Sequence, residues 1–211
     1  MKLPAFLKFL APLFRDEFLE AQRLKGWLRI ETRKNGVVVD VPYDGPNFIV
    51  DLGLTSARDV LIGTNGAGFS GSLFRMAIGD GGCPAGQLFS PKQPDGTWPA
   101  KTALFHEVLR QDISAFSKPT SSSMRFVGSF DSTVVDPTSY SLSERVINEA
   151  ALIIGDGVLT VGGDKKQINK VPPDTVDPDE KLFSMRTFKS TPFSYTEDVT
   201  ITCTWTITVV R

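Results

Sequence analysis

The sequence predicts a mainly β protein: an antiparallel β-sandwich with an N-terminal amphipathic helical arm and one or two short helices. Three observations predict this fold class. Residues 199–210 alternate between apolar side chains and threonine, as a half-buried strand does. Asn35-Gly36 joins two strand-like runs, and this pair is typical of a hairpin because both turn positions need a positive φ. Residues 73–78 form an apolar run of strand length that ends at Gly79-Asp80-Gly81-Gly82.

The N-terminal segment has helical spacing. One face of a helix over residues 4–25 carries apolar residues three and four positions apart: Phe14, Phe18, Ala21 and Leu24. Gly26 is placed to end this helix. We therefore expect two parts. Residues 1–25 are a helical docking arm, and residues 26–211 are a single β-sandwich domain with long loops at about 83–101 and 155–181.

Further elements follow from local patterns. Residues 47–62 predict a short strand and then a helix, capped by Thr55 or Ser56, with its apolar side facing inward through Ala57, Val60 and Leu61. Residues 102–110 predict a helical turn that passes into a strand. Additional strands are expected at 122–131, 146–154, 182–188 and 199–210.

Composition narrows the class of function. The net charge of −1 argues against a surface that neutralises many phosphates, so no nucleic-acid partner is expected. Two cysteines, Cys83 and Cys203, do not make a disulfide scaffold and are typical of a protein made in a reducing cytoplasm. We interpret both as small buried hydrophobes, with a bridge between them left open.

No motif for catalysis, metal or cofactor binding meets its own requirements. Gly66–Gly71 matches G-x-G-x-x-G, but a predicted helix precedes it and a strand follows, which is the reverse of a dinucleotide site. His106 is the single histidine of the chain, too few for a His/Cys metal site. We therefore expect no enzyme, no cofactor, and no catalytic or metal-ligating residue.

Four groups of segments resemble the tail-collar fibre family of tailed-bacteriophage structural proteins. They are residues 45–54, residues 75–82, residues 102–110, and residues 146–153 taken with 182–188 and 204–207. The resemblance implies a virion part without catalytic residues that is assembled in the host cytoplasm as a homo-oligomer and contacts other virion structural proteins. Family fibres often continue into a shaft, whereas this sequence stops after its closing strand, which favours a compact adaptor, collar or decoration protein. We expect a tail, collar or baseplate adaptor or fibre-attachment protein.

Two other functions remain open. A capsid decoration protein would bind the shell lattice and differ from a tail part in its copy number. A phage glycan-binding or glycan-degrading module would need an exposed aromatic platform. Of Trp27, Trp98 and Trp205, the last is predicted to face inward, which leaves Trp98, in a loop, as the candidate platform.

The arm is the candidate docking element because it carries more apolar surface than a lone helix leaves in water. The candidate partner-docking residues are Phe6, Phe9, Leu10, Leu13, Phe14 and Phe18. Residues 1–34 hold eight basic and four acidic side chains, which suits an acidic partner. Burial against its own domain, against a neighbouring protein, or on a membrane all remain open. Lys8 and Pro12 interrupt the apolar stretch, so no membrane partner is expected.

Overall fold

A computed structural model describes residues 23–62, 73–131, 144–155, 165–167, 180–194 and 198–210. Over these residues the chain is mainly β, with two antiparallel sheets and one short helix. In chain order the elements are β1 Arg23–Lys34, β2 Val37–Pro46, β3 Phe48–Ile49, α1 Asp51–Ile62, β4 Leu73–Gly79, β5 Glu107–Asp112, β6 Ala115–Thr120, β7 Ser123–Asp131, β8 Glu144–Gly155, β9 Lys165–Gln167, β10 Lys181–Ser194 and β11 Val199–Val210.

Within the described residues, the first sheet has the strand order β2-β1-β11-β7-β6 and the second has the order β3-β10-β8-β4-β5-β9. The closing strand β11 lies in the middle of the first sheet, where it pairs with β1 over twelve residues and with β7 over nine. β8 is its counterpart in the second sheet, between β10 and β4. Strands distant in sequence are therefore neighbours in both sheets.

The β1–β2 hairpin has the predicted tight turn. Asn35 and Gly36 have φ values of 51° and 77°, the positive pair that a two-residue turn between twisted strands requires. The Asn35 backbone N–H donates to the Asp198 carbonyl at 3.1 Å, which ties this turn to the chain just before β11. The prediction from Asn-Gly is confirmed.

An apolar core lies between the two sheets. The predicted phase of β11 is confirmed, because Ile201, Cys203, Trp205 and Ile207 are buried while the threonines between them are partly exposed. Side chains of the second sheet join this cluster, and the Phe74 ring lies with its centroid 4.4 Å from that of Phe126 on β7. Large apolar side chains from both sheets thus share one dry interior.

A second apolar cluster covers the opposite face of the second sheet. Ala77 and Ile153 alternate with side chains of the first core, so they point away from it, towards Val50, Trp98 and Leu104. The segment between β4 and β5, which contains no helix or strand, supplies two of these residues. The stretch 83–101, expected to be a long loop, contains no helix or strand and packs on the sheet.

The start of α1 differs from the expectation. The helix begins at Asp51, so Thr55 and Ser56 lie inside it and do not cap it. Its first turn is positioned by tertiary contacts, since the Asp51 N–H donates to the Pro99 carbonyl at 2.9 Å. The Ser56 hydroxyl donates back to the Leu52 carbonyl at 2.8 Å, a bond typical of serine within a helix. Ala57 is buried, as predicted.

Other boundaries also differ. β1 begins at Arg23, so residues 23–25 are strand and not the end of a helix. β6 and β9 were not predicted, and β9 lies inside the stretch 155–181 that the sequence predicts as a loop. Residues 102–106 contain no helical turn. β6 begins with two adjacent apolar residues and continues with serine, lysine, proline and threonine, which leaves no alternation to indicate a strand.

The charge of the arm changes with this boundary. Five of the eight basic residues counted over residues 1–34 lie in β1, which leaves three basic and three acidic residues over residues 1–22. The segment before β1 is therefore electrically neutral, so its charge does not favour an acidic partner. Among the described residues, no helix is long and apolar enough to cross a membrane.

Trp205→Ala should destabilise the protein by about 3–5 kcal/mol, because it removes a large, fully buried side chain from the core between the sheets. Thr204→Ser, on the opposite face of the same strand, should change stability little. Urea unfolding of both variants checks this. Equal midpoints for Trp205→Ala and the unmodified protein would contradict the burial of this side chain.

Candidate functional site

Glu149 holds the long loop against the second sheet. It lies on β8 opposite Gly79 of β4 and Thr187 of β10, and it is fully buried on the face that the loop covers. Its carboxylate accepts three backbone hydrogen bonds, from the N–H groups of His106 (2.7 Å), Phe105 (2.9 Å) and Gly81 (3.2 Å). Both ends of the loop are therefore attached to one side chain.

The environment of Glu149 acts on its ionisation in two directions. Burial raises the pKa of this carboxyl, because the charged form loses its hydration. The hydrogen bonds from His106, Phe105 and Gly81, and the nearby ammonium of Lys92, lower it, but burial is the larger effect. With its oxygens engaged by backbone amides away from solvent, Glu149 positions the backbone.

The glycines of the 79–82 segment are explained by this packing. A Cβ on Gly79 would lie 2.3 Å from the His106 carbonyl oxygen and 2.6 Å from Glu149 Oε1. A Cβ on Gly82 would lie 2.2 Å from the Asn148 carbonyl oxygen. Side chains at these positions would therefore push the loop away from β8 and break the hydrogen bonds to Glu149.

Asn148 and Lys92 extend the attachment. The Asn148 side chain accepts from the Gly82 N–H at 2.6 Å and donates to the Ser190 hydroxyl at 3.2 Å, which links the loop to β10. The Lys92 ammonium donates to the Gly81 carbonyl at 2.7 Å and lies 3.9 Å from the centroid of the Phe105 ring. The loop is thus fixed at several points along its length.

The His106 side chain lies at the surface, whereas its backbone N–H bonds to the buried Glu149. Its Nδ1 contacts Asp80 Oδ1, and its own carbonyl accepts from the Asp80 N–H at 3.1 Å. Within the described part of the chain, no three His, Cys, Asp or Glu side chains are grouped as metal ligands would be. The chain bends at Asp80 and at Gly82.

A buried cluster of charges lies on the same face of the sheet. Arg75 pairs with Asp112 and with Glu180, at 2.8 Å in each case. Arg110 pairs with Glu107 through two hydrogen bonds of 2.7 and 2.9 Å and with Glu180 at 2.6 Å. Glu180 therefore bridges two arginines, one on β4 and one on β5, next to the start of β10.

The spacing of three residues between Glu107 and Arg110 suggests a pair on a helical turn, which would contribute little to stability if exposed. The pair exists, but it lies on β5 and is buried. The pairing of β4 with β5 shifts register between Ile78 and Gly79, and this irregularity brings two residues three apart onto the same face.

The candidate residues singled out by the sequence have different outcomes. The six predicted docking residues and the Gly66–Gly71 motif lie outside the described residues. Trp98 is only 1% exposed and packs edge-on against Phe48 and Phe105, so it is not a platform for a glycan. Cys83 and Cys203 are free thiols, and burial raises the pKa of Cys203 to about 12.

Sequence reasoning missed Glu149, Glu180 and Trp27. Glu149 is an isolated acidic residue in an apolar run, and nothing local reveals the three amides that it meets. The sequence does contain a signal that Trp27 is exposed. In β1 this residue lies on the same side as Arg29 and opposite the apolar Leu28, so it is on the polar side of the strand. The structure places Trp27 at the surface, with 51% of its area exposed.

No protein-family model matches the chain, no curated protein matches it in sequence, and no solved structure matches it.

Glu149→Gln should destabilise the protein by about 1–3 kcal/mol at neutral pH, because the amide nitrogen would face a backbone N–H donor. The effect depends on pH. Burial raises the pKa of Glu149 in the folded protein above its value in the unfolded chain. The stabilisation that protonation of Glu149 contributes is therefore complete below the pKa of the unfolded chain. It is lost as the pH rises through the pKa of the folded protein. The stability difference between the unmodified protein and Glu149→Gln should therefore grow from about pH 7 to about pH 4.

Asp95→Asn is the control with the opposite sign. Hydrogen bonds from Thr97 lower the pKa of Asp95, so its contribution is present above the unfolded pKa and is lost as the pH falls. Thermal unfolding of the three proteins across this pH range measures both differences. A Glu149→Gln difference that shrinks on acidification would contradict a raised pKa.

Arg110→Met should cost about 3–5 kcal/mol, because it leaves the buried carboxylates of Glu107 and Glu180 without this partner. Lys189→Met breaks an exposed pair with Asp40 and should cost less than about 1 kcal/mol. Denaturant midpoints give the comparison. Similar costs for the two variants would show that the buried cluster contributes no more than a surface pair.

Proposed function

We propose that this chain is a structural component of a tailed-phage virion: a tail, collar or baseplate adaptor or fibre-attachment protein. In this proposal it acts through protein–protein contacts as a homo-oligomer and performs no catalysis. The two packed sheets would form a single β-sandwich domain, and the segment before β1 would be a helical docking arm.

The observation that carries the proposal is the meeting of the resembling segments around Glu149. Residues 75–82, 102–110, 146–153 and 182–188 are separate in sequence, yet Glu149 pairs with Gly79 and Thr187 across the sheet. Its carboxylate accepts from the backbone amides of Gly81, in segment 75–82, and of His106, in segment 102–110. The residues that resemble the family thus act together in one buried unit.

A motif used in this way specifies a shape. Its charged and small residues attach a loop to a sheet and so produce a rigid body. A protein onto which other proteins dock needs such a rigid body. A catalytic motif instead presents its titratable groups to a cleft. The use of Glu149 for backbone positioning therefore supports an assembly function over a chemical one.

Exposed apolar side chains provide contact points on this body. Phe89, in the long loop, is 80% exposed, and Leu88 beside it is also exposed. Val37 and Val39 are exposed at the start of the edge strand β2. Large apolar groups on a soluble body are typical of surfaces that a partner covers.

The copy number in purified particles tests the proposal. Quantitative mass spectrometry of the virion that encodes this chain should give a small multiple of three, six or twelve, as expected for symmetric tail or neck assemblies. Hundreds of copies would instead indicate a capsid decoration protein. Absence of the chain from purified particles would overturn the virion proposal.

Deletion of residues 1–22 should leave a folded β domain that no longer enters particles or oligomerises. The deletion stops before Arg23 so that β1 keeps its full pairing with β11. Circular dichroism, light scattering and particle incorporation measure the three properties. Normal incorporation of the truncated chain would exclude the arm as the docking element, and an insoluble truncated chain would indicate that the arm completes the domain itself.

A further inference from the structure

Trp27 is an exposed aromatic ring with a fixed orientation. Its indole N–H donates to Asp44 Oδ1 at 2.7 Å, and the other oxygen of Asp44 accepts from Arg29 at 2.5 Å. The hydrogen bond from Trp27 is the largest cause that lowers the pKa of Asp44, which keeps this carboxylate charged. The ring is therefore held at its edge while 51% of its area faces solvent.

Hydroxyl groups lie beside this ring. Thr206 is the direct neighbour of Trp27 on β11, with Thr204 and Thr208 on the same face. These threonine side chains make no side-chain hydrogen bond within the described residues, so their hydroxyls are available to a ligand. The outer face of the first sheet thus offers a flat row of short polar groups next to an aromatic ring.

Two cations flank the ring, and neither forms an ion pair with another described residue. Lys25 lies two residues before Trp27 on the same face, and Arg125 lies across Thr206 on β7. The nearby carboxylates are already occupied, because Asp44 binds Trp27 and Arg29 while Glu31 binds Arg29 and Arg33. The charge left for a ligand around Trp27 is therefore positive.

We propose that this face binds an acidic glycan, a chain of sugars that carries carboxylates. A sugar ring stacks on Trp27, the hydroxyls of Thr204 and Thr206 bond to sugar hydroxyls, and Lys25 and Arg125 pair with the carboxylates. Neighbouring strands are about 4.8 Å apart, so Arg125 lies roughly 10 Å from Trp27 across β11. A short oligosaccharide covers this span.

The composition of the face favours a glycan over an acidic protein. A protein interface has an apolar centre with a polar rim, whereas Trp27 is here surrounded by hydroxyls and charges. Exposed apolar side chains other than Trp27 lie elsewhere, on the long loop, on α1 and at the far end of β2. Glycan binding by this face does not depend on the proposed assembly function. Copy number in particles tests the assembly function, and sugar binding does not.

Binding should first be measured with the full chain on an array of carboxylated oligosaccharides, built from uronic and nonulosonic acids, beside their neutral counterparts. At least one carboxylated series should bind, and more weakly as salt rises, because screening reduces the contribution of Lys25 and Arg125. No binding, or equal binding of neutral sugars, would overturn the proposal.

Fluorescence then locates the site. Trp98 and Trp205 are buried, so Trp27 is the indole that acrylamide reaches first, and the bound oligosaccharide should protect it. If Trp27 is already protected in the free protein, this face is covered by the chain or by a second copy, and the proposal fails. Protection by another virion protein but by no glycan would likewise replace the proposal with a protein interface.

Variants separate the contributions. Trp27→Ala should weaken binding of the retained oligosaccharide about tenfold, since stacking on the ring is lost. Arg125→Gln should weaken binding and reduce its dependence on salt. Phe89→Ala removes an aromatic ring that is even more exposed, on the long loop, and should leave binding unchanged. Equal losses for Trp27→Ala and Phe89→Ala would contradict a site on the first sheet.

Discussion

The burial of one carboxylate under three backbone amides is the constraint on which the rest of the described structure depends. Glu149 stands in the central strand of the second sheet, and its oxygens satisfy N–H groups at both ends of the long loop. Together with the hydrogen bonds of Asn148 and Lys92, these bonds hold the loop on the sheet, and the loop keeps the apolar cluster around Trp98 away from water. The glycines at positions 79–82 follow from the same constraint, because the loop approaches β8 too closely for side chains.

The buried ion cluster is a second anchor on the same face. Glu180 connects Arg75 and Arg110, so the entry to β10 is held against two strands that it does not pair with. Burying such charges costs hydration, and the hydrogen bonds from Arg110 to Glu107 and Glu180 offset part of this cost. Its effect is to fix the position of the strands, since a displaced strand would leave an unpaired charge in a dry environment.

The two faces of the first sheet have separate roles. Its inner face buries Trp205 and Cys203 in the core, while its outer face carries threonines between Trp27 and Arg125. A single strand, β11, contributes to both because successive side chains point to opposite sides. The residues that stabilise the core and those of the proposed glycan-binding face therefore alternate along the same twelve-residue segment.

The sequence by itself determined the features that depend on neighbours along the chain. The Asn35-Gly36 turn, the phase of β11 and the apolar strand β4 were predicted because their signals lie within a few residues. The tertiary structure alone decided which distant residues meet. Contacts between segments tens of residues apart create the environment of Glu149, the bridge at Glu180 and the burial of Trp98. Strand β6 was not predicted because its sequence has too little periodicity. Local patterns report which side of a strand is apolar, but the partner of a buried charge is fixed only when the sheets have assembled.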